Sequence, residues 1–305
     1  MNTTKTLISI IVIIGLLAIS LIGACTQPSP SMSGKIGVVV SILPLAEFVE
    51  SIGGDKVAVS VMIPPGADPH SYEPKPSQMT ALANARMYVK VGSGVEFEIT
   101  YMDKLASINK TMLIVDTSKD IGLIKSESEH ENGHDNEQEH EHESGIDPHI
   151  WTSVRNAMIM AGNICSGLVQ IDPENKAHYE NNRDSYIEKL KKLDDTISTG
   201  LSTVSNRTFI VYHPSFSYFA NDYNLTQISI EQEGKEPTAA YITHVIKEAK
   251  EKNCRVVFVS PQFSDKSASV IAKEINGAVV AVDTLAPQYI ANMEKIIDAM
   301  IGAMK

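Results

Sequence analysis

Hydrophobic positions along this chain fall into three regimes. Residues 7–22 are almost unbroken apolar, with Lys5 ahead of them and Gly23, Ala24 and Cys25 behind. From residue 36 onward, short apolar runs alternate with stretches of helical spacing. Residues 36–41, 57–63, 87–91 and 112–115 are rich in Val, Ile and Met and read as strands. Between them, residues 44–53 and 77–85 read as helices, the first stopped by Gly53-Gly54 and the second with Ser77 as its N-cap. A helix from Thr152 or Ser153 to about Val169 follows. A second βα series comes later, with strands at residues 209–212, 227–230, 256–259 and 279–282 and helices from Thr238, from Ser267 and at the C-terminus. Such alternation predicts an α/β fold with mostly parallel sheets covered by helices.

Two segments divide the series. Residues 127–145 carry almost only Glu, His, Asn, Asp, Gln and Ser and no apolar side chain before Gly145. They cannot bury surface to offset ordering entropy, so they are expected to be a disordered loop. Residues 173–204 form a long polar helical stretch with one narrow stripe of Ile187, Leu190, Leu193 and Ile197. That stretch reads as a connector between two lobes, an N-terminal one over residues 36–172 and a C-terminal one over 205–305.

The first regime sets the compartment. A cation, an apolar run and small residues make a secretory signal over residues 1–24. The segment Ile22-Gly23-Ala24-Cys25 resembles a lipobox, in which Cys25 takes a lipid and becomes the mature N-terminus, with residues 25–35 as a tether. The alternative is an uncleaved signal anchor, because the run approaches a membrane span. Either way the rest of the chain is expected outside the cytoplasm, held at the membrane. Net charge is −11, with the acid concentrated over residues 127–143, which argues against nucleic acid and favours cations as partners. Only Cys165 and Cys254 remain beyond Cys25. They are too few for a disulfide scaffold or a cysteine zinc site and read as small buried apolar residues.

Candidate chemistry gathers after strand ends, where open α/β sheets bind ligands. His70 lies past the strand at 57–63, His213 directly after 209–212 and Asp283 directly after 279–282, while His149 follows the polar loop. Pro69, Pro148 and Pro214 each adjoin one of the histidines and stiffen the backbone there. Two of the four fall in each lobe, so a cleft could bring them together. His178 and His244 read as surface residues.

The segments Asp68-Pro69-His70-Ser71-Tyr72-Glu73-Pro74, Asp147-Pro148-His149-Ile150-Trp151, His213-Pro214-Ser215-Phe216 and Val282-Asp283-Thr284-Leu285 resemble, in order and spacing, those of the metal-binding solute-binding proteins of ABC transporters, zinc-uptake type. Ile230-Glu231 through Glu236-Pro237-Thr238 matches too, without being a ligand segment. The resemblance implies two α/β lobes joined by one long helix and a metal site of His70, His149, His213 and Asp283. It also implies delivery of the ion to a permease and, through it, to a cytoplasmic ATPase, by a monomer that is not an enzyme. Three imidazoles and a carboxylate suit Zn2+. Mn2+ or mixed-metal binding is the alternative, because manganese-type relatives also keep an Asp at the fourth position. His130, His134, His140 and His142 in the acidic loop would offer weak accessory coordination. A surface adhesin and a zinc hydrolase are the distant alternatives. The one His-Glu-x-x-His spacing, at residues 130–134, falls in the polar loop and not in a helical pattern, and no Gly-x-Ser-x-Gly turn occurs.

Overall fold

The structure is a computed structural model that describes residues 34–126, 145–232 and 234–304. Cys25 and the accessory histidines of the acidic loop therefore lie outside the described residues. In chain order the elements are β1 (Ile36–Val40), α1 (Leu43–Gly53), β2 (Val57–Val61), α2 (Pro76–Ala83), β3 (Met87–Lys90), α3 (Glu96–Ile108), β4 (Leu113–Asp116), α4 (Val154–Ile171) and α5 (Lys176–Leu201). There follow β5 (Thr208–Val211), α6 (Ser217–Tyr223), β6 (Thr226–Ser229), α7 (Ala239–Glu251), β7 (Val256–Val259), α8 (Lys266–Glu274), β8 (Ala278–Ala281) and α9 (Tyr289–Met304).

The strands form two four-stranded sheets, ordered β2-β1-β3-β4 and β6-β5-β7-β8, with every pairing parallel. The two halves thus share one strand order. Parallel sheets need cover on both faces, and the sequences of the strands show it. Central β5, Thr-Phe-Ile-Val, is buried throughout, whereas edge strand β8 is largely exposed. Side chains of β5 alternate between two cores. Phe209 and Val211 face a large core that also holds the first sheet, while Ile210 packs with Val245, Val257 and Ile271 under α7 and α8.

The large core runs from one sheet to the other through α5. Tyr179, Tyr186, Leu190, Leu193, Ile197 and Leu201 form the buried stripe of that helix. Ile187, expected in the stripe, is only half-buried; Tyr186 takes the inward place because its hydroxyl donates to Glu47 Oε1 at 2.7 Å. Helix α9 returns to pack on α5, and its Tyr289 meets Phe48 of α1 edge to face at 4.9 Å. The stretch read as helix from residue 173 opens with a 3-10 turn, Pro173–Asn175. Helix α2 begins at Pro76 rather than at a Ser77 cap. Proline is pre-organised for the first helical position, and Gln78 Oε1 accepts the Lys75 backbone N–H at 2.8 Å. Cys165 and Cys254 are buried and free. No helix among the described residues is long and apolar enough to cross a membrane.

Because one core links both sheets, truncation of the fully buried Ile197 should destabilise the whole molecule by about 2–5 kcal/mol. Urea unfolding of Ile197→Ala, followed by tyrosine fluorescence and circular dichroism, is expected to show one shifted transition. Two separated transitions, only one of them moved, would contradict a shared core.

Candidate metal centre

The carboxyl ends of both sheets face a common cavity of about 20 Å³. That is room for a single ion or water. The three histidines expected at the site line it: His70 from the loop after β2, His149 from the segment before α4, and His213 from the end of β5. Each offers a ring nitrogen, and these nitrogens all lie within 4.8 Å of one another. His149 and His213 are buried, whereas His70 is exposed at the rim.

Two of the three segments share one local device. In Asp68-Pro69-His70, Asp68 Oδ1 accepts the backbone N–H of His70 at 3.0 Å, and Oδ2 accepts the Ser71 hydroxyl at 3.1 Å. In Asp147-Pro148-His149, Asp147 Oδ1 accepts the backbone N–H of His149 at 2.8 Å and also meets its ring Nδ1 at 2.8 Å. Such turns, with a proline between Asp and His, fix where each imidazole starts. His213 is held differently. Its Nδ1 meets Glu231 Oε2 at 2.9 Å, and Phe263 stacks on its ring at 4.6 Å between centroids.

Carboxylates only accept hydrogen bonds. Asp147 and Glu231 therefore fix the ring protons of His149 and His213 on Nδ1 and leave each Nε2 with its lone pair. Those two Nε2 atoms stand 3.1 Å apart. Two lone pairs facing at that distance repel unless a cation, a proton or a metal, lies between or beside them. Two imidazole nitrogens bound to one tetrahedral zinc would be separated by about 3.3 Å, so the spacing fits. Carboxylates behind the ligating rings are the usual support of such a centre. Here they are 5% and 7% exposed and supply buried negative charge for a dication.

Protonation equilibria favour metal. His70 keeps an exposed edge at the rim, but the protein packed around the rest of its ring desolvates it, and this, and then the His213 ring, hold it below the ordinary imidazole value, although Asp68, Glu231 and Glu96 pull upward. Burial also lowers His213; the Glu231 hydrogen bond opposes this, and the His149 ring adds to the lowering. Burial pushes Asp147 up, but the adjacent His149 ring and hydrogen bonds from His149 and Ser217 bring it below the usual carboxylate range.

Asp283, the fourth residue expected from the sequence, does not join the three imidazoles. Its Oδ1 accepts from Gln262 Nε2 at 2.9 Å and from the Leu285 backbone N–H at 3.0 Å. Neighbouring Thr284 and Leu285 line the cavity, so Asp283 stands beside it. Sequence reasoning did not single out Asp147, Glu231, Gln262 or Phe263. Glu231 carried a usable signal, because it follows a strand end just as His213 does. Three contacts hold the site's two sides together: Trp151 Nε1 donates to Thr284 O at 2.9 Å, Tyr218 OH donates to Asp147 O at 2.8 Å, and Tyr218 OH accepts from Ile124 N at 3.1 Å. His178 and His244 sit away from the cluster, paired with Asp55 at 3.8 Å and Glu248 at 3.9 Å.

Metal capture needs neutral rings. A falling pH adds protons to His70 and His213 only below their lowered values, hence below the ordinary value of about 6.5. Zinc affinity in competition titrations should therefore be nearly flat between about pH 8 and pH 7 and fall steeply below about pH 6. A tenfold loss already between about pH 8 and pH 7 would contradict the lowered values.

Comparison with known proteins identifies the family. The chain matches the model of ZnuA, zinc-uptake complex component A, periplasmic, over residues 38–303. It is 34% identical over 279 residues to the high-affinity zinc uptake system protein ZnuA of Bacillus subtilis, covering 87% of this chain and 85% of that protein. To the zinc-binding lipoprotein AdcA of Streptococcus pneumoniae it is 29% identical over 294 residues, 91% of this chain but 57% of the relative. This chain therefore spans little more than half of AdcA. A crystal structure of a zinc-bound ZnuA deletion mutant superposes with a TM-score of 0.80 at 38% identity, covering 89% of this chain and 98% of that one. With a family model matched from the first strand to the last helix, the chain belongs to the zinc-uptake complex component A family.

Proposed function

We propose that this protein captures Zn2+ outside the cytoplasm and delivers it to the permease of an ABC importer, which a cytoplasmic ATPase drives. One observation carries the reading: two buried imidazole nitrogens, each backed by a buried carboxylate, converge at 3.1 Å on a cavity the size of an ion. His70, His149 and His213 bind the metal, and Asp283 stands beside them as an oxygen donor in reserve. Nitrogen donors favour zinc over manganese. The family and the zinc-binding relatives support the same metal.

The same features support binding without chemistry. A hydrolase would need room for a substrate and a general base next to an open coordination position. Asp147 and Glu231, the carboxylates nearest the rings, are committed to ring nitrogens and leave no free base there. Residues 36–172 and 205–305 serve as the two lobes and residues 173–204 as the connector. The protein acts as a monomer tethered by a lipid on Cys25, a reading supported by the lipobox-like segment and by the lipoprotein relative. The acidic loop, with His130, His134, His140 and His142, gathers zinc weakly at the membrane surface.

Replacing a carboxylate behind a ligating histidine costs about 10–100-fold in metal affinity in comparable centres. Glu231→Gln is therefore expected to weaken zinc binding by that amount, and His213→Ala by more, in competition titrations against a chromophoric chelator. Wild-type zinc affinity in both variants would refute the site. A deletion strain whose zinc-limited growth is restored by the wild-type chain and not by His213→Ala would support the transport role.

A further inference from the structure

The carboxylate that the sequence offers as fourth donor has another partner. Asp283 lies two residues past the end of β8, and its Oδ1 takes hydrogen bonds from Gln262 and from the Leu285 backbone. Its main-chain oxygen accepts from Asn292 Nδ2 of α9 at 2.6 Å, which anchors the backbone. Gln262 belongs to the turn after β7, closed by Phe263 N–H donating to Ser260 O at 3.0 Å. That turn belongs to the site: Gln262 and Phe263 both line the cavity, and Phe263 stacks on His213. One short segment thus positions a metal-facing imidazole with Phe263 and holds the Asp283 carboxylate with Gln262.

We infer that Gln262 is a specificity-determining positioning residue, a latch that keeps the Asp283 carboxylate out of the imidazole cluster and so keeps the site rich in nitrogen. The inference rests on the reading of the three histidines as a transition-metal site. A primary amide suits this role. It donates to the carboxylate without adding charge, and it cannot neutralise Asp283 as a lysine would. An oxygen donor admitted to the centre would favour harder, earlier divalent ions, and manganese is the weakest binder at nitrogen-rich sites. Withholding Asp283 therefore tilts the centre toward zinc. A centre with one donor held in reserve also releases its ion more readily than one with all four engaged, as delivery to a permease requires.

The test uses the full chain and the metals themselves. Gln262→Ala removes the side-chain donor and leaves Asp283 held only by the Leu285 backbone N–H. Gln262→Met keeps the length of the side chain without its hydrogen bond, should alanine disturb the turn. Competition titrations of Zn2+ against Mn2+ are expected to show the zinc preference falling by about tenfold in both variants, the loss of one charge-assisted hydrogen bond. Stopped-flow zinc release should slow by a similar factor. The visible spectrum of bound Co2+ should change as oxygen enters the centre. On an Asp283→Asn background, the added Gln262→Ala should no longer move the zinc-to-manganese ratio. Gln262 variants with wild-type selectivity, release and cobalt spectrum would overturn the latch alone. So would a selectivity shift that persists on the Asp283→Asn background. A wild-type chain that binds neither Zn2+ nor Co2+ would overturn the metal-site reading, and the latch with it.

Discussion

Everything about this site depends on two nitrogen atoms that should repel. His149 Nε2 and His213 Nε2 face each other at 3.1 Å, and Asp147 and Glu231 hold the opposite nitrogen of each ring at 2.8 and 2.9 Å. The carboxylates fix the tautomers, the tautomers direct the lone pairs, and the lone pairs call for a cation. Removing a carboxylate from water is costly unless its charge is met. Two buried carboxylates behind two buried rings are therefore sensible only where positive charge arrives. Lowered proton affinity at His213 and at neighbouring His70 leaves that role to a metal near neutral pH.

The fold supplies the convergence. Each half repeats the same strand order, and each presents loops at the carboxyl ends of its strands. The first half contributes His70 and His149, the second His213 and the turn bearing Gln262 and Phe263. A core continuous through α5 and α9 keeps these ends opposed. Bonds close to the metal centre, from Trp151 to Thr284 and from Tyr218 to Asp147, do the same locally. His70 stands exposed at the rim of the site, on the side that meets solvent.

Much of this was legible from residue patterns. Valine-rich runs marked the strands to within a residue or two, and the rule that ligands gather past strand ends picked out His70 and His213, which do meet, while His149 was marked by its place after the polar loop. What escaped depends on partners distant in sequence. Glu231 supports His213 from 18 positions away, and Gln262 reaches Asp283 across 21. No local period encodes either pairing. Helix α3 escaped for another reason. Its apolar positions Phe97, Tyr101 and Leu105 recur every four residues, but buried Glu98 interrupts the stripe. That carboxylate points inward to accept the backbone N–H groups of Val91 and Gly92 at 2.6 and 2.9 Å. Tyr186 displaced Ile187 from the stripe of α5 by the same logic, because its ring packs inward while its hydroxyl reaches the half-buried Glu47.

The claim at the centre of this account concerns the side of each ring on which the proton sits. Nitrogen-15 NMR of the histidine rings in the zinc-loaded protein reads it directly. The account predicts that His149 and His213 are protonated at Nδ1 and bound to the metal through Nε2, as their carboxylate partners require. A proton on Nε2 of either ring, or metal bound through Nδ1, would contradict it.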